Sequence, residues 1–327
     1  MPRAASTSDD HTGNPEHATR ATDAAGPRYT RALRKWPAAL TGCALLATSL
    51  TAVTAPAHAA GTGGHGAGKG TAYVALGDSY AAGAGIPATS AGLCLRSDHN
   101  YGHLVAAAIK PASYTDATCG AAKVSALTRT QTDAGIPVNG PQLDAVKPDT
   151  DLVTLTIGGN DIGTSDLGFV EVVAACTALA LTNPFGSPCQ DAYKDKLVRR
   201  LDAAAPAIAD ALRTIHAKAP GARVLVVGYP AVVPDDPKTC VGKVPVTVGD
   251  TAYLRSVLGR LNDMLAATAA AHHATYVDTF TATKGHDPCS ANPWVEGFIP
   301  GKVTLPLHPN ATGERVRADA VLRALRG

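Results

Sequence analysis

The sequence predicts a three-layer α/β/α sandwich with a central parallel sheet, and two observations carry that prediction. Apolar runs rich in β-branched residues recur at 73–76, 152–157 and 224–227, each closed by a glycine. Stretches with helical spacing separate them, and strands alternating with helices fold as parallel crossover units. No internal repeat or further linker interrupts residues 71–327, so a single domain is expected there.

What precedes that domain reads differently. Residues 1–30 are polar and mixed in charge. Arg31, Arg34 and Lys35 then precede an apolar run that ends at Ala57-His58-Ala59. A basic flank, a short apolar core and a small-x-small site make a secretory signal peptide, expected over residues 1–59 with a long polar extension. The apolar run is short for a membrane span and carries Thr, Ser and Gly, so no stable membrane insertion is expected. Residues 60–70 form a glycine-rich flexible leader. The domain is thus expected to be secreted and extracellular.

Charge and cysteine usage agree with export. The chain has 29 Lys and Arg against 27 Asp and Glu; six and four of these precede residue 60, which leaves 23 of each. A formally neutral domain offers no electrostatic case for nucleic acid or an anionic membrane surface. Cys43 lies in the signal peptide. The other six, Cys94, Cys119, Cys176, Cys189, Cys240 and Cys289, form an even set in a secreted domain and read as disulfides. Sequence does not choose their connectivity; pairing in chain order is the simplest. The absence of any CxxC and the wide spacing oppose zinc.

In order, the first strand breaks into Gly77-Asp78-Ser79, and the small residues of 81–87 leave space beside Ser79. A helix suits 101–109, ended by Lys110-Pro111. Residues 116–120 read as a short strand entering a glycine turn, and 142–146 as a short helix. Residues 151–157 are the clearest strand, followed by Gly158-Gly159-Asn160. A long helix is expected over 191–217, with Leu197, Leu201, Ile208 and Leu212 on one stripe and a break or kink at Pro206. Then follow a strand at 222–230, a helix at 251–272, a strand at 275–278 and a last helix at 310–325. Segments 176–189 and 230–250 read as surface excursions near a substrate entrance.

A serine becomes a useful nucleophile only with a base to take its proton and donors to hold the developing oxyanion. Ser79 can supply the hydroxyl, His308 the base and Asn160 an amide donor; backbone N–H groups at Ser79 and around Gly120-Ala121 can complete the hole. These positions fall at strand ends or before the last helix, which meet on one edge of an open α/β sheet. Each piece alone has an ordinary reading as a turn or loop residue.

Together, Gly77-Asp78-Ser79, Gly120, Gly158-Gly159-Asn160 and His308-Pro309-Asn310 resemble the four ordered blocks of the SGNH (GDSL-type) hydrolases. The resemblance spans residues 72–325, and the signal peptide and six cysteines resemble the secreted actinobacterial lipases and esterases of that family. It implies a flavodoxin-like sandwich and ester hydrolysis through an acyl-enzyme, without metal or cofactor. It also implies Ser79 as nucleophile, His308 as base, and Ser79, Gly120 and Asn160 around the oxyanion. Two departures stand out. The family's usual Asp three residues before the base is Leu305 here, so a backbone carbonyl of Leu305 or Pro306 is expected to orient the imidazole, with Asp278 and Asp287 as weaker candidates. The second block reads Cys119-Gly120-Ala121-Ala122, which leaves its donor as Gly120 or Ala121.

The remaining histidines carry no chemistry. His99 and His103 have a metal-compatible spacing but no acidic or cysteine company in sequence, and His272-His273 closes a helix. Asp78 and Asp161 are expected to order loops by hydrogen bonds. The sequence therefore predicts a monomeric secreted lipase or esterase acting on ester substrates, lipid esters first. A phospholipase or polysaccharide O-deacetylase is the alternative enzyme, and a non-catalytic binding protein the alternative class.

Overall fold

The computed structural model describes residues 70–327 apart from 90, 91 and 166. The expected signal peptide and the expected leader up to residue 69 lie outside the described residues. In chain order the elements are β1 (Ala72–Gly77), α1 (Ser79–Ala82), α2 (Tyr101–Ile109), β2 (Ser113–Asp116), β3 (Gln131–Asp133), β4 (Ile136–Asn139), β5 (Leu152–Thr156), α3 (Gly168–Ala180), α4 (Pro188–Tyr193), α5 (Lys196–Lys218), β6 (Arg223–Val227), α6 (Val248–Ala271), β7 (Thr275–Val277), α7 (Thr279–Thr283) and α8 (Ala311–Arg326).

Five strands pair in parallel in the order β2-β1-β5-β6-β7. Side chains alternate across this sheet with period two. Val74, Leu76, Val153 and Leu155 face the layer that holds α5 and α6. Tyr73, Ala75, Leu225 and Val227 face α2 and α8. Thr154 and Thr156 also enter this second layer, where their hydroxyls pair with Tyr73 Oη at 2.9 Å and Tyr101 Oη at 3.1 Å. Those threonines are thus buried without stranding their hydroxyls, whereas Tyr114 Oη in the same layer has no hydrogen-bond partner among the described residues.

The strand order fixes where a site can form. From β1 the chain runs outward to β2, then returns to the other side of β1 as β5. The connections leaving β1 and β5 therefore part in opposite directions and open a crevice beyond their carboxyl ends. Gly77 pairs with Thr156 at that edge. Its φ of 140° lies where L side chains strain, and a Cβ there would stand 2.2 Å from the Thr156 carbonyl oxygen. The Gln142 side chain accepts from Gly77 N–H at 2.7 Å and donates to its carbonyl at 2.9 Å, satisfying the backbone where the ladder ends.

Three elements differ from the sequence expectation. The second strand is Ser113–Asp116, not 116–120; Asp116 caps Thr118 and the chain leaves the sheet there. The long helix divides into α4 and α5, and α5 runs through Pro206 without ending. Leu197, Leu201, Ile208 and Leu212 on its inner face are all at 0% exposure. Burying each stabilises by about 1.5–3 kcal/mol, which outweighs the ~3 kcal/mol that one mid-helix proline costs. The hairpin β3–β4 was not expected at all. It turns through Ala134-Gly135, both at positive φ, with alanine where the usual signal is Asn or Asp.

The six cysteines form Cys94–Cys119, Cys176–Cys189 and Cys240–Cys289, the pairing in chain order. The second bond lies within the segment expected as a surface excursion, yet both of its cysteines are buried and join α3 to α4. Among the described residues no helix is long and apolar enough to cross a membrane. Each disulfide of this kind stabilises by about 2–4 kcal/mol. Reductant is thus expected to lower the melting temperature and release six titratable thiols; an unchanged melting curve with six thiols already free would contradict the pairing.

Candidate active site

Ser79 is the first residue of α1, directly after β1. Asp78 caps that short helix, its Oδ1 accepting Tyr80 N–H at 2.9 Å. At the first helical position the Ser79 N–H has no intrahelical partner and none elsewhere among the described residues. Its Oγ lies 2.7 Å from His308 Nε2. The other ring nitrogen, Nδ1, is 2.7 Å from the Pro306 carbonyl oxygen. That oxygen can only accept, so Nδ1 carries the proton and Nε2 is the free acceptor facing the serine.

The histidine loop is fixed from several sides. Leu307 takes a positive φ of 61°, and its carbonyl accepts Tyr80 Oη–H at 2.6 Å. Glu296 N–H donates to His308 O at 2.9 Å, and Leu305 N–H to Ala84 O at 3.3 Å. Asn310 caps α8 through Oδ1 and donates from Nδ2 to Glu296 at 2.6 Å. The Tyr80 ring stacks on the imidazole at 4.5 Å between centroids. Burial pushes the His308 imidazole down to about 4; the Pro306 carbonyl works against this and Arg317 adds to it. The ring is therefore the neutral base across neutral and mildly acidic solution.

Among the described residues no carboxylate pairs with His308. Asp278 caps α7, accepting Thr281 N–H at 2.9 Å, and Asp287 accepts Cys289 N–H at 2.8 Å. Of the two carbonyls expected to orient the ring, it is Pro306 that does so; Leu305 O accepts the backbone N–H of His308 instead.

Asn160 follows β5 within a 3-10 turn, and its Nδ2 donates one hydrogen to Ala122 O at 3.0 Å. The second hydrogen has no partner among the described residues, and Asn160 lines the crevice together with Ser79 and His308. Gly120 differs from expectation. Its N–H is already spent on the Cys94 carbonyl at 2.8 Å, beside the Cys94–Cys119 bond, so it has no hydrogen left for an oxyanion. Ala121, the other donor that the sequence left open, differs in this respect. Ala121 has φ 61°, its N–H has no partner among the described residues, and it lines the same crevice.

The other singled-out groups play supporting parts. Asp161 accepts Val124 N–H at 3.1 Å, and burial pushes its carboxyl up to about 6. His103 comes within 3.5 Å of Asp116, an acidic neighbour that only folding supplies. Among the described residues no group of three His, Cys, Asp or Glu side chains is placed to hold a metal.

Two spaces meet at Ser79. One is a narrow apolar pocket walled by Ile162, Phe169, Leu201, Val257, Leu258 and Leu261. The other is a wider, more open groove past Leu93, Ala121, Gln131 and Leu167. A hydroxyl bonded to a neutral imidazole, with unspent N–H donors around it at the mouth of an apolar pocket, is the arrangement of a serine hydrolase.

The chain belongs to the GDSL-like Lipase/Acylhydrolase family, whose family model matches residues 75–316. It is 42% identical to Lipase 2 of Streptomyces coelicolor over 307 residues, covering 91% of this chain and 98% of that one. Among solved structures it resembles phospholipase A1 from Streptomyces albidoflavus NA297, at 29% identity and TM-score 0.64, over 78% of this chain and 99% of that one. The extracellular lipase of Streptomyces rimosus matches at 26% identity and TM-score 0.60, with the same coverage. The protein is accordingly a carboxylic ester hydrolase of the lipase and esterase kind.

Asn160→Ala is expected to lower kcat by roughly 10²–10³-fold, the usual loss for one oxyanion donor. Asp278→Asn and Asp287→Asn are expected to change kcat/KM by less than about tenfold, since each caps backbone away from the imidazole. A loss of orders of magnitude in either carboxamide variant would reveal a third catalytic member.

Proposed function

We propose that the protein is a secreted lipase or esterase that cleaves lipid esters through an acyl-enzyme on Ser79. The single observation that carries this reading is the 2.7 Å contact between Ser79 Oγ and the free nitrogen of His308, at the entrance of the apolar pocket. His308 Nε2 takes the hydroxyl proton as Oγ bonds to the ester carbonyl carbon. The carbonyl oxygen gains negative charge and is held by Ser79 N–H, Ala121 N–H and Asn160 Nδ2. His308 then returns the proton to the departing alcohol oxygen and the carbon–oxygen bond breaks. Water, deprotonated by the same imidazole, attacks the acyl carbon and releases the acid and Ser79.

The apolar pocket supports an acyl chain longer than acetyl, because every methylene moved from water into it contributes about 0.8 kcal/mol. That weighs against a polysaccharide deacetylase, whose acetyl group offers little apolar surface to such a lining. The groove on the other side, lined by Leu93, Leu95 and Leu167 with Gln131 and Asp133, carries no Trp, Tyr or Phe among the described residues on which a sugar would stack. It suits the alcohol half of a lipid ester, phospholipid included. Secretion is supported by the basic and apolar pattern before residue 60 and by three disulfides.

Hydrolysis of p-nitrophenyl esters from acetyl to palmitoyl, run beside Ser79→Ala, tests this. The expected result is kcat/KM rising beyond acetyl in the native enzyme and a loss of at least ~10⁴-fold in the variant. Activity confined to acetyl would move the assignment to a deacetylase, and turnover surviving in Ser79→Ala would remove Ser79 from the reaction.

A further inference from the structure

The groups proposed to hold the oxyanion come from separate parts of the chain. Ser79 follows β1 and Asn160 follows β5; the Cys94–Cys119 bond shortens the chain between them but joins neither loop to the other. One side chain touches the neighbour of each. Tyr229, in the loop after β6, donates its hydroxyl hydrogen to Asp78 Oδ2 and accepts Gly159 N–H at 2.8 Å. Asp78 precedes Ser79 and Gly159 precedes Asn160 in the chain. We infer that Tyr229 is a positioning residue that keeps Ser79 and Asn160 in register for ester hydrolysis.

The ring itself is fixed well enough to serve as a gauge. Its backbone N–H and carbonyl are both held by the Asn262 amide, at 2.9 and 3.0 Å. Its edge meets the face of Tyr80 at 5.0 Å, and Tyr80 in turn stacks on His308. A Cβ on Gly159 would stand 2.9 Å from Tyr229 Cε1, Cζ and Oη, so the close approach uses the glycine. One phenol thus touches the loops of Ser79 and Asn160 and, through Tyr80, the base. A residue that merely walled the acyl pocket would need the ring and not the hydroxyl.

The bridge has a direction. Gly159 N–H occupies an acceptor site of the phenol, so the phenolic hydrogen must go to Asp78, which has to present a bare oxygen. A proton on Oδ2 would face that hydrogen and open the bridge. The groups around Asp78 are Tyr80 on α1, Tyr229 after β6, Asp161 in the turn after β5 and Arg317 on α8. Burial pushes its carboxyl up to about 7 and Asp161 adds slightly, against the opposing effects of Tyr229, Tyr80 N–H and Arg317. A raised carboxyl loses its ionised form as pH falls through about 7, whereas His308 stays neutral down to about 4. The acid limb of activity is therefore set by Asp78 and the bridge, well above the point at which the base is protonated.

This inference rests on the Ser79–His308 reading, and Ser79→Ala serves as the control that separates the two. The experiment is kcat and KM against pH on p-nitrophenyl butyrate for Tyr229→Phe and Asp78→Asn, with circular dichroism to verify folding. Tyr229→Phe keeps the ring and removes the bridge. Its kcat is expected to fall roughly 10- to 100-fold with KM changed less than about twofold, as for a misplaced reacting group. Its acid limb moves down towards the His308 value, because protonation of Asp78 then has no bridge to open. Asp78→Asn, which keeps an acceptor for Tyr80 N–H, is expected to lower kcat and to shift the acid limb down towards the His308 value. An unchanged kcat in Tyr229→Phe, or a raised KM alone, would overturn the inference. Should that variant not fold, an acid limb unmoved in Asp78→Asn would overturn it equally. An active Ser79→Ala would instead condemn the underlying reading.

Discussion

The arrangement depends on keeping one imidazole neutral, aimed and dry beside a serine without the help of a carboxylate. The Pro306 carbonyl does the aiming, since it accepts the Nδ1 proton and leaves Nε2 bare towards Ser79 Oγ. A carbonyl two residues before the histidine cannot do this from a loose loop. The positive φ at Leu307, the Tyr80 hydroxyl on its carbonyl and the Asn310–Glu296 pair hold that loop in shape. Much of the surrounding polar structure serves this one hydrogen bond.

A carbonyl dipole stabilises the imidazolium less than a full negative charge does, and burial makes the charged ring more expensive still. Arg317, paired with Glu314 beneath the site and entirely buried, adds repulsion. Two features act the other way. The Tyr80 face lies against the imidazole at 4.5 Å, where an aromatic quadrupole favours a cation. The alcohol of an ester also leaves more readily than an amine, so the proposed reaction asks less of its acid. The balance fits ester chemistry.

Sheet and helices were legible because their residues carry a period. The strands 73–76 and 152–157 are apolar enough to admit no other reading, and the Leu197–Leu212 stripe of α5 survives even its internal proline. The residues of the site were legible for another reason: serine, asparagine and histidine stand beside glycines and strand ends, where chain reversal is required. What stayed hidden depends on contacts distant in sequence. That Gly120 spends its N–H on Cys94, and Ala121 keeps its own, follows from a disulfide across 25 residues. That Pro306 and not Leu305 meets Nδ1 follows from a left-handed leucine, which no propensity announces. Tyr229 gave no signal at all, lying 151 residues from the aspartate it bonds.

The most direct test of the central claim is covalent. The protein is treated with a fluorophosphonate at neutral pH, digested, and the adduct located by mass spectrometry. A hydroxyl activated by a neutral imidazole attacks phosphorus as it would an ester carbonyl, so the account predicts a single adduct, on the peptide containing Ser79, with loss of hydrolysis in step with labelling. An adduct at a different serine, or ester hydrolysis continuing undiminished with Ser79 fully labelled, would contradict it.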